Sequence, residues 1–125
     1  MTLVDTSAWI HQMRPRGDPR VRARVEALLR AGEAAWCAMV RLEIWAGVRE
    51  ERERRVLREY EAVLPELPID RAVWVSACDL AGRLRRAGKT VPASDTLIFA
   101  CARHYDVEID HADAHFDVLA GFQGS

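Results

Sequence analysis

Four acidic residues occupy places where a carboxylate can do chemistry. Asp5 ends a short apolar run, Glu43 sits in the helical stretch after a second such run, Asp95 falls in the first turn of a helix after Pro92, and Asp113 follows a third run. Gathered in one pocket, four carboxylates repel and raise one another's pKa values. A divalent cation resolves that conflict: Mg²⁺ and Mn²⁺ are hard ions that prefer oxygen ligands. Cations held by carboxylates activate water and stabilise the leaving oxygen of a phosphodiester. Taken singly, Asp5, Asp95 and Asp113 read equally well as helix caps. Glu43 alone reads as a helix residue, although Leu42, Ile44 and Trp45 beside it argue against full exposure. The reading rests on the set.

The elements that must position these acids are legible. Residues 2–5 (TLVD) and 34–38 (AAWCA) are short apolar runs of the kind that form buried parallel strands, and 107–110 (VEID) is a third strand. Thr6 or Ser7 can cap a short helix through Trp9, Ile10 and Met13. Two prolines and a glycine make 14–19 a loop, and Asp18-Pro19 opens a helix with Val21, Val25, Leu28 and Leu29 inward until Gly32 stops it. Helices are expected at 39–48 (Met39, Leu42, Trp45 and Ala46 inward) and 50–63 (Val56, Leu57, Tyr60 and Val63 inward). The two prolines of 64–69 suggest a short edge strand. Asp70 caps a long helix carrying Val73, Ala77, Leu80, Ala81 and Leu84, closed by Gly88; another runs from Ser94 to His104, and a last one starts near Asp113. Strands alternating with amphipathic helices mean α/β with a parallel sheet, in which ligands bind beyond the carboxyl ends of the strands. All four acids then converge on one end.

Composition sets the outer limits. With 125 residues, half of them hydrophobic, the chain reads as a single domain, 1–125, with a real core. No apolar run approaches the ~20 residues of a membrane span, and the N-terminus lacks a signal-peptide pattern, so a cytoplasmic protein is expected. Cys37, Cys78 and Cys101 are odd in number and set in apolar stretches, which reads as buried core thiols in a reducing compartment. The net charge of -1 excludes a uniformly basic nucleic-acid binder, yet it is a sum of unlike parts. Residues 14–24 carry five Arg and one Asp, while 104–117 carry five acids and no Lys or Arg. Seventeen of the 18 basic residues are Arg, the better side chain for gripping phosphate.

The stretches V-D-T-S-A-W-I at 4–10, R-L-E-I-W-A-G-V at 41–48, V-P-A-S-D-T-L-I-F-A at 91–100 and D-A-H-F at 113–116 together resemble the PIN-domain ribonucleases, specifically the VapC-type toxins of type II toxin–antitoxin pairs. Their order and spacing match over nearly the whole chain. The resemblance implies a PIN-like three-layer α/β fold, a central mainly parallel sheet flanked by helices. It implies Mg²⁺- or Mn²⁺-dependent hydrolysis of RNA phosphodiester bonds, with Asp5, Glu43, Asp95 and Asp113 as the acids and Ser7 as a supporting hydroxyl. In that reading Asp5 and Asp95 hold the cation directly, Asp113 directly or through water, and Glu43 orients the attacking water. It further implies a small antitoxin that blocks the site, and a homodimer. A groove beside the helices of 20–63, with Trp45 or Leu57 exposed, is the expected seat of an antitoxin helix. The alternative from a different class is a catalytically degenerate PIN-like domain that binds RNA or a partner without cutting; retention of all four acids argues against it.

Two departures from the pattern stand out. His111 replaces the usual Thr or Ser two residues before the last acid, and a strand usual after the D-A-H-F segment has only 121–125 (GFQGS) to form from. Other acid-site α/β families fit less well. A haloacid-dehalogenase-type phosphatase has Asp where Ser7 stands, a receiver domain has a late Lys that Lys89 does not match in order, and a dinucleotide fold has a Gly-rich turn after the first strand. The alternation of His111, Asp113 and His115 suggests a transition-metal site, but further ligand clustering is lacking and the carboxylates favour a hard ion. Asp117 reads as a solvated surface acid, His11 and His104 as surface or partly buried helix residues, and Trp9, Trp36, Trp45 and Trp74 as core or interface.

Overall fold

The computed structural model describes residues 1–122. The chain runs β1 (Thr2–Val4), α1 (Thr6–Met13), α2 (Pro19–Arg30), β2 (Ala34–Cys37), α3 (Ala38–Gly47), α4 (Glu51–Val63), β3 (Glu66–Leu67), α5 (Arg71–Arg86), α6 (Ala93–His104), β4 (Glu108–Asp110) and α7 (Ala114–Gly121). The four strands form one sheet in the order β3-β2-β1-β4, with every neighbouring pair parallel. This is the expected α/β architecture, a parallel sheet flanked by helices. The two inner strands read as unbroken apolar runs because helices cover them: all four residues of β2 are buried, as are Leu3 and Val4 of β1. The edge strands are wetter, and β3 shrinks to two residues between its prolines.

The core gathers Leu3, Trp9, Trp36, Leu57, Ile98, Phe116 and Leu119, all essentially without exposure. Trp9 meets Trp36 edge-on at 6.1 Å between ring centroids and lies 5.1 Å from Tyr60, which ties α1 to the sheet and to α4. Replacing Trp9 by Ala is expected to cost about 3–5 kcal/mol in urea denaturation; a cost below about 1 kcal/mol would mean that this aromatic cluster does not anchor α1. Helix α6 is buried from Asp95 through Ala102 without interruption, the pattern of a helix enclosed on all sides. That enclosure forces Asp95 out of water.

Gly32 and Gly88 take φ of 69° and 72° just past α2 and α5, the stops expected of them. Several expectations about faces fail. On α3, Val40 and Ile44 are buried while Leu42 is 62% exposed; the helix is apolar nearly all round and offers no clear stripe. Val63 and Ala81 point outward; Leu57 is fully buried, as the inward stripe of 50–63 predicts, and so is not an exposed seat for an antitoxin helix. Trp74 is half exposed, so of core or interface only interface is left to it, and Cys78 is exposed, since both lie one step off the 73-77-80-84 stripe of α5; Cys37 and Cys101 are buried as expected. Asp5, rather than Thr6 or Ser7, caps α1. Within the 121–125 segment Gly121 ends helix α7 rather than opening a strand, and residues 123–125 lie outside the described residues. Among the described residues, no helix is long and apolar enough to cross a membrane.

Candidate active site

Strand order decides where the site lies. From β1 the chain steps outward to β2 and β3, then crosses back to place β4 on the other side of β1. The gap between the carboxyl ends of β1 and β4 is therefore the topological switch point, where α/β sheets bind ligands. Asp5 follows β1 there, and its backbone N–H bonds to the Asp110 carbonyl at the end of β4 (2.9 Å). Asp113 caps α7 on the other side of the gap.

Ser7 locks the two sides together. Its hydroxyl donates to Asp5 Oδ2 at 2.6 Å and accepts the Ala112 backbone N–H at 2.9 Å. The Ser7 N–H also donates to Asp5 Oδ2 (3.0 Å), which fixes that carboxylate as the cap of α1. Burial pushes Asp5 above the usual carboxylate range; the Ser7 and Thr6 hydrogen bonds oppose this only in part, and the Asp113 charge adds to it.

Asp95 comes in from α6. One ligand atom each from Asp95, Asp113 and His115 lies within 4.8 Å of the others. His115 Nδ1 stands 2.9 Å from Asp113 Oδ1 and 3.4 Å from Asp95 Oδ2. Burial first, then the hydrogen bond and charge of Asp113, then the Asp5 charge, push Asp95 up to about 7. Asp113 moves the other way. Burial opposes its ionisation, but the His115 backbone N–H (2.8 Å), the hydrogen bond with Asp95 and the His115 ring outweigh it and hold the carboxyl low. The pair thus shares one proton, carried on Asp95.

The donor set fits a hard divalent cation. Asp5 Oδ1 and Asp95 Oδ2 are buried oxygens without a hydrogen-bond partner, an arrangement costly in free energy unless a cation or proton meets them. Strand-end Asp110 is not available for this role, because the Arg24 guanidinium engages both its oxygens (3.2–3.4 Å).

Of the four expected acids, Asp5, Asp95 and Asp113 converge and sense one another's charge. Glu43 Oε1 accepts the hydroxyl of Thr6, the residue after Asp5, at 2.7 Å. It lines a pocket between α1 and α3. Sequence reasoning assigned no role to Thr6 beyond capping and weighed His115 only as a transition-metal ligand beside His111 and Asp113; the structure places it in the first turn of α7, which Asp113 caps. His111 does what a hydroxyl would do at its position: its Nδ1 accepts the Asp113 backbone N–H (3.3 Å), and its ring packs on Phe116 at 5.1 Å. Asp117 is exposed, as expected, with its carboxylate 3.8 Å from His111 Nε2.

Known proteins share this fold. Residues 2–121 match the model of the PIN domain. Ribonuclease VapC11 of Mycobacterium tuberculosis is 35% identical, over 96% of this chain and 92% of the relative. Among solved structures, FitAcB from Neisseria gonorrhoeae superposes with a TM-score of 0.70 at 22% identity, covering 92% of this chain and 89% of that one. DNA-bound VapBC from Salmonella typhimurium gives 0.68 at 17% identity, with 89% and 98% covered. The acids at the β1/β4 switch point, the family match over nearly all of the sequence and a relative at 35% identity agree, and the chain belongs to the PIN domain family.

Proposed function

We propose that residues 1–125 act as one catalytic domain, a cytoplasmic Mg²⁺- or Mn²⁺-dependent endoribonuclease that is the toxin of a type II toxin–antitoxin pair. A small antitoxin protein would hold it in check, and the toxin would pair as a homodimer. The relative named above as a ribonuclease, and the solved VapBC and FitAcB proteins, support the class. The single observation that carries the chemistry is the meeting of Asp5, Asp95 and Asp113 with two buried carboxylate oxygens left without partners.

Asp5 and Asp95 would hold the cation directly, with Asp113 completing the set. When bound, the cation neutralises the carboxylates and polarises the scissile phosphodiester. The chain's own residues do the rest. Ser7 keeps Asp5 aimed into the gap and ties the Asp113 loop to α1. His115 holds Asp113 ionised through its backbone N–H and ring. Glu43, steadied by the Thr6 hydroxyl, orients the attacking water and accepts its proton.

The test is cleavage of mixed-sequence RNA with Mg²⁺ or Mn²⁺ by the wild type and by Asp5→Asn. Cleavage by the wild type and its loss in the variant are expected. Equal cleavage by both, or none by either, would sink the proposal.

A further inference from the structure

Arginines far apart in sequence meet at one place. Arg14 and Arg16 lie in the loop after α1, while Arg49 and Arg52 stand where α3 gives way to α4. These four line an open cavity of ≈ 340 Å³ together with Pro15, Glu50 and Glu53. All four side chains are exposed, and none forms an ion pair among the described residues. By contrast, Arg24, Arg41, Arg54 and Arg58 each hold a carboxylate. One of the two glutamates is partly committed elsewhere: Glu53 Oε1 accepts the backbone N–H groups of Arg49 (3.1 Å) and Glu50 (3.2 Å).

The loop that carries Arg14 and Arg16 is held in place. The Gly17 N–H donates to the Arg14 carbonyl (3.1 Å), and the Asp18 N–H donates to His11 Nδ1 (2.9 Å). The Arg22 guanidinium clamps the carbonyls of His11 and Arg14. Gly17 approaches the His11 carbonyl so closely that no Cβ fits there. A loop fixed in this way presents its arginines with little ordering cost on binding.

The arginines also lie on a track from the acids. Helix α1 begins at Asp5 and ends beside Arg14, and α3 runs from the end of β2 through Glu43 towards Arg49. The pocket between these helices, which Glu43 lines, shares Arg14 and Glu53 with the arginine cavity. Eight residues of α1 separate the two ends by about 12 Å. An acidic site repels a polyanion and cannot itself supply the affinity that phosphate contacts give. Unpaired guanidinium forks match phosphate oxygens bidentately.

We infer that Arg14, Arg16, Arg49 and Arg52 form a phosphate-binding subsite that anchors the backbone of a single-stranded RNA whose neighbouring segment lies at the acids. The inference rests on the ribonuclease reading for its choice of polyanion. The test is fluorescence anisotropy of a mixed-sequence single-stranded oligoribonucleotide, with EDTA present so that no cleavage intervenes. In about 0.1 M salt, changing all four arginines to Ala is expected to weaken binding at least tenfold. It is also expected to flatten the dependence of log K on log salt by about 0.7 for each phosphate that the variant no longer neutralises. A control with the same charge change on α5 and the loop after it (Arg71, Arg85, Arg86 and Lys89 to Ala) is expected to bind like the wild type. Unchanged affinity in the first variant, equal weakening in the control, or no RNA binding by the wild type would each overturn the subsite. A wild type that binds RNA through these arginines but cuts none with Mg²⁺ or Mn²⁺ would leave the subsite standing and remove the proposed activity instead.

Discussion

Asp95→Asn is expected to abolish RNA cleavage while making the cation-free protein more stable at pH 8. The two effects share one cause. Above about pH 7 the wild-type Asp95 carboxyl gives up its proton in a buried place, facing the ionised Asp113. An Asn amide keeps the shape, carries no charge and donates an N–H to Asp113 where the shared proton stood. Relief of that repulsion is worth about 1 kcal/mol after screening, or a rise of roughly 4 °C in Tm. The same change removes a direct cation ligand. Losing an outer partner of a metal ligand costs ~10–100-fold, so losing a ligand itself is expected to cost more than about 100-fold in activity. RNA cleavage assays and thermal melts in EDTA at pH 8 check both halves. Near-wild-type cleavage would remove Asp95 from the site, and a lower melting temperature would mean that Asp95 is a structural residue rather than one kept at a cost in stability for function.

That cost explains which parts of the molecule were legible in the sequence. The strands were, because TLV and AAWC are unbroken apolar runs and only a doubly covered parallel sheet makes such runs stable. Parallel strands then force acids at their carboxyl ends together, which is why Asp5 and Asp113 stand out in the sequence. Asp95 was legible as a first-turn acid; its burial was not, because that depends on α3, α5, α7 and β4 all closing around α6. The faces of α3 were hidden for a related reason, whereas the exposure of Cys78 follows from the 73-77-80-84 stripe of α5 that the sequence does show. A helix apolar on every side carries no periodic signal, so Leu42 and Ile44 look alike until the neighbouring elements choose between them. Strand-end Asp110 shows the converse: nothing in the sequence says that Arg24, on α2, will neutralise it. The arginine cavity was equally hidden. The charge excess of residues 14–24 was visible, but its meeting with Arg49 and Arg52 follows from the packing of α1 beside α3.

The proton shared by Asp95 and Asp113 makes stability and cation binding depend on pH in opposite senses. In the unfolded chain an Asp titrates near 3.8, and in the folded cation-free chain Asp95 titrates at about 7. The native state therefore binds more protons than the unfolded state between these values, and by linkage stability falls as pH rises through that window. Its contribution is fully present below about pH 4 and lost above about pH 7. Asp5, raised by burial, adds to the same trend, while Asp113, held low, opposes it only at the acid end. The cation-free chain is thus expected to melt at a lower temperature at pH 8 than at pH 5.5. Mn²⁺ reverses this, because it binds the ionised carboxylates and must displace the proton from Asp95. Its apparent affinity is expected to rise several-fold from pH 6 to pH 8. Calorimetry at pH 6.5 in buffers of different ionisation enthalpy is expected to record about one proton released per ion bound. Cation affinity independent of pH across this range, or binding without proton release, would show that the ion does not sit on the Asp95–Asp113 pair. The site would then have to be rebuilt around Asp5 and Glu43. The pH slope of cation-free stability would survive that outcome, since it depends only on the buried carboxyls, so the two measurements separate the electrostatics of the fold from the location of the ion.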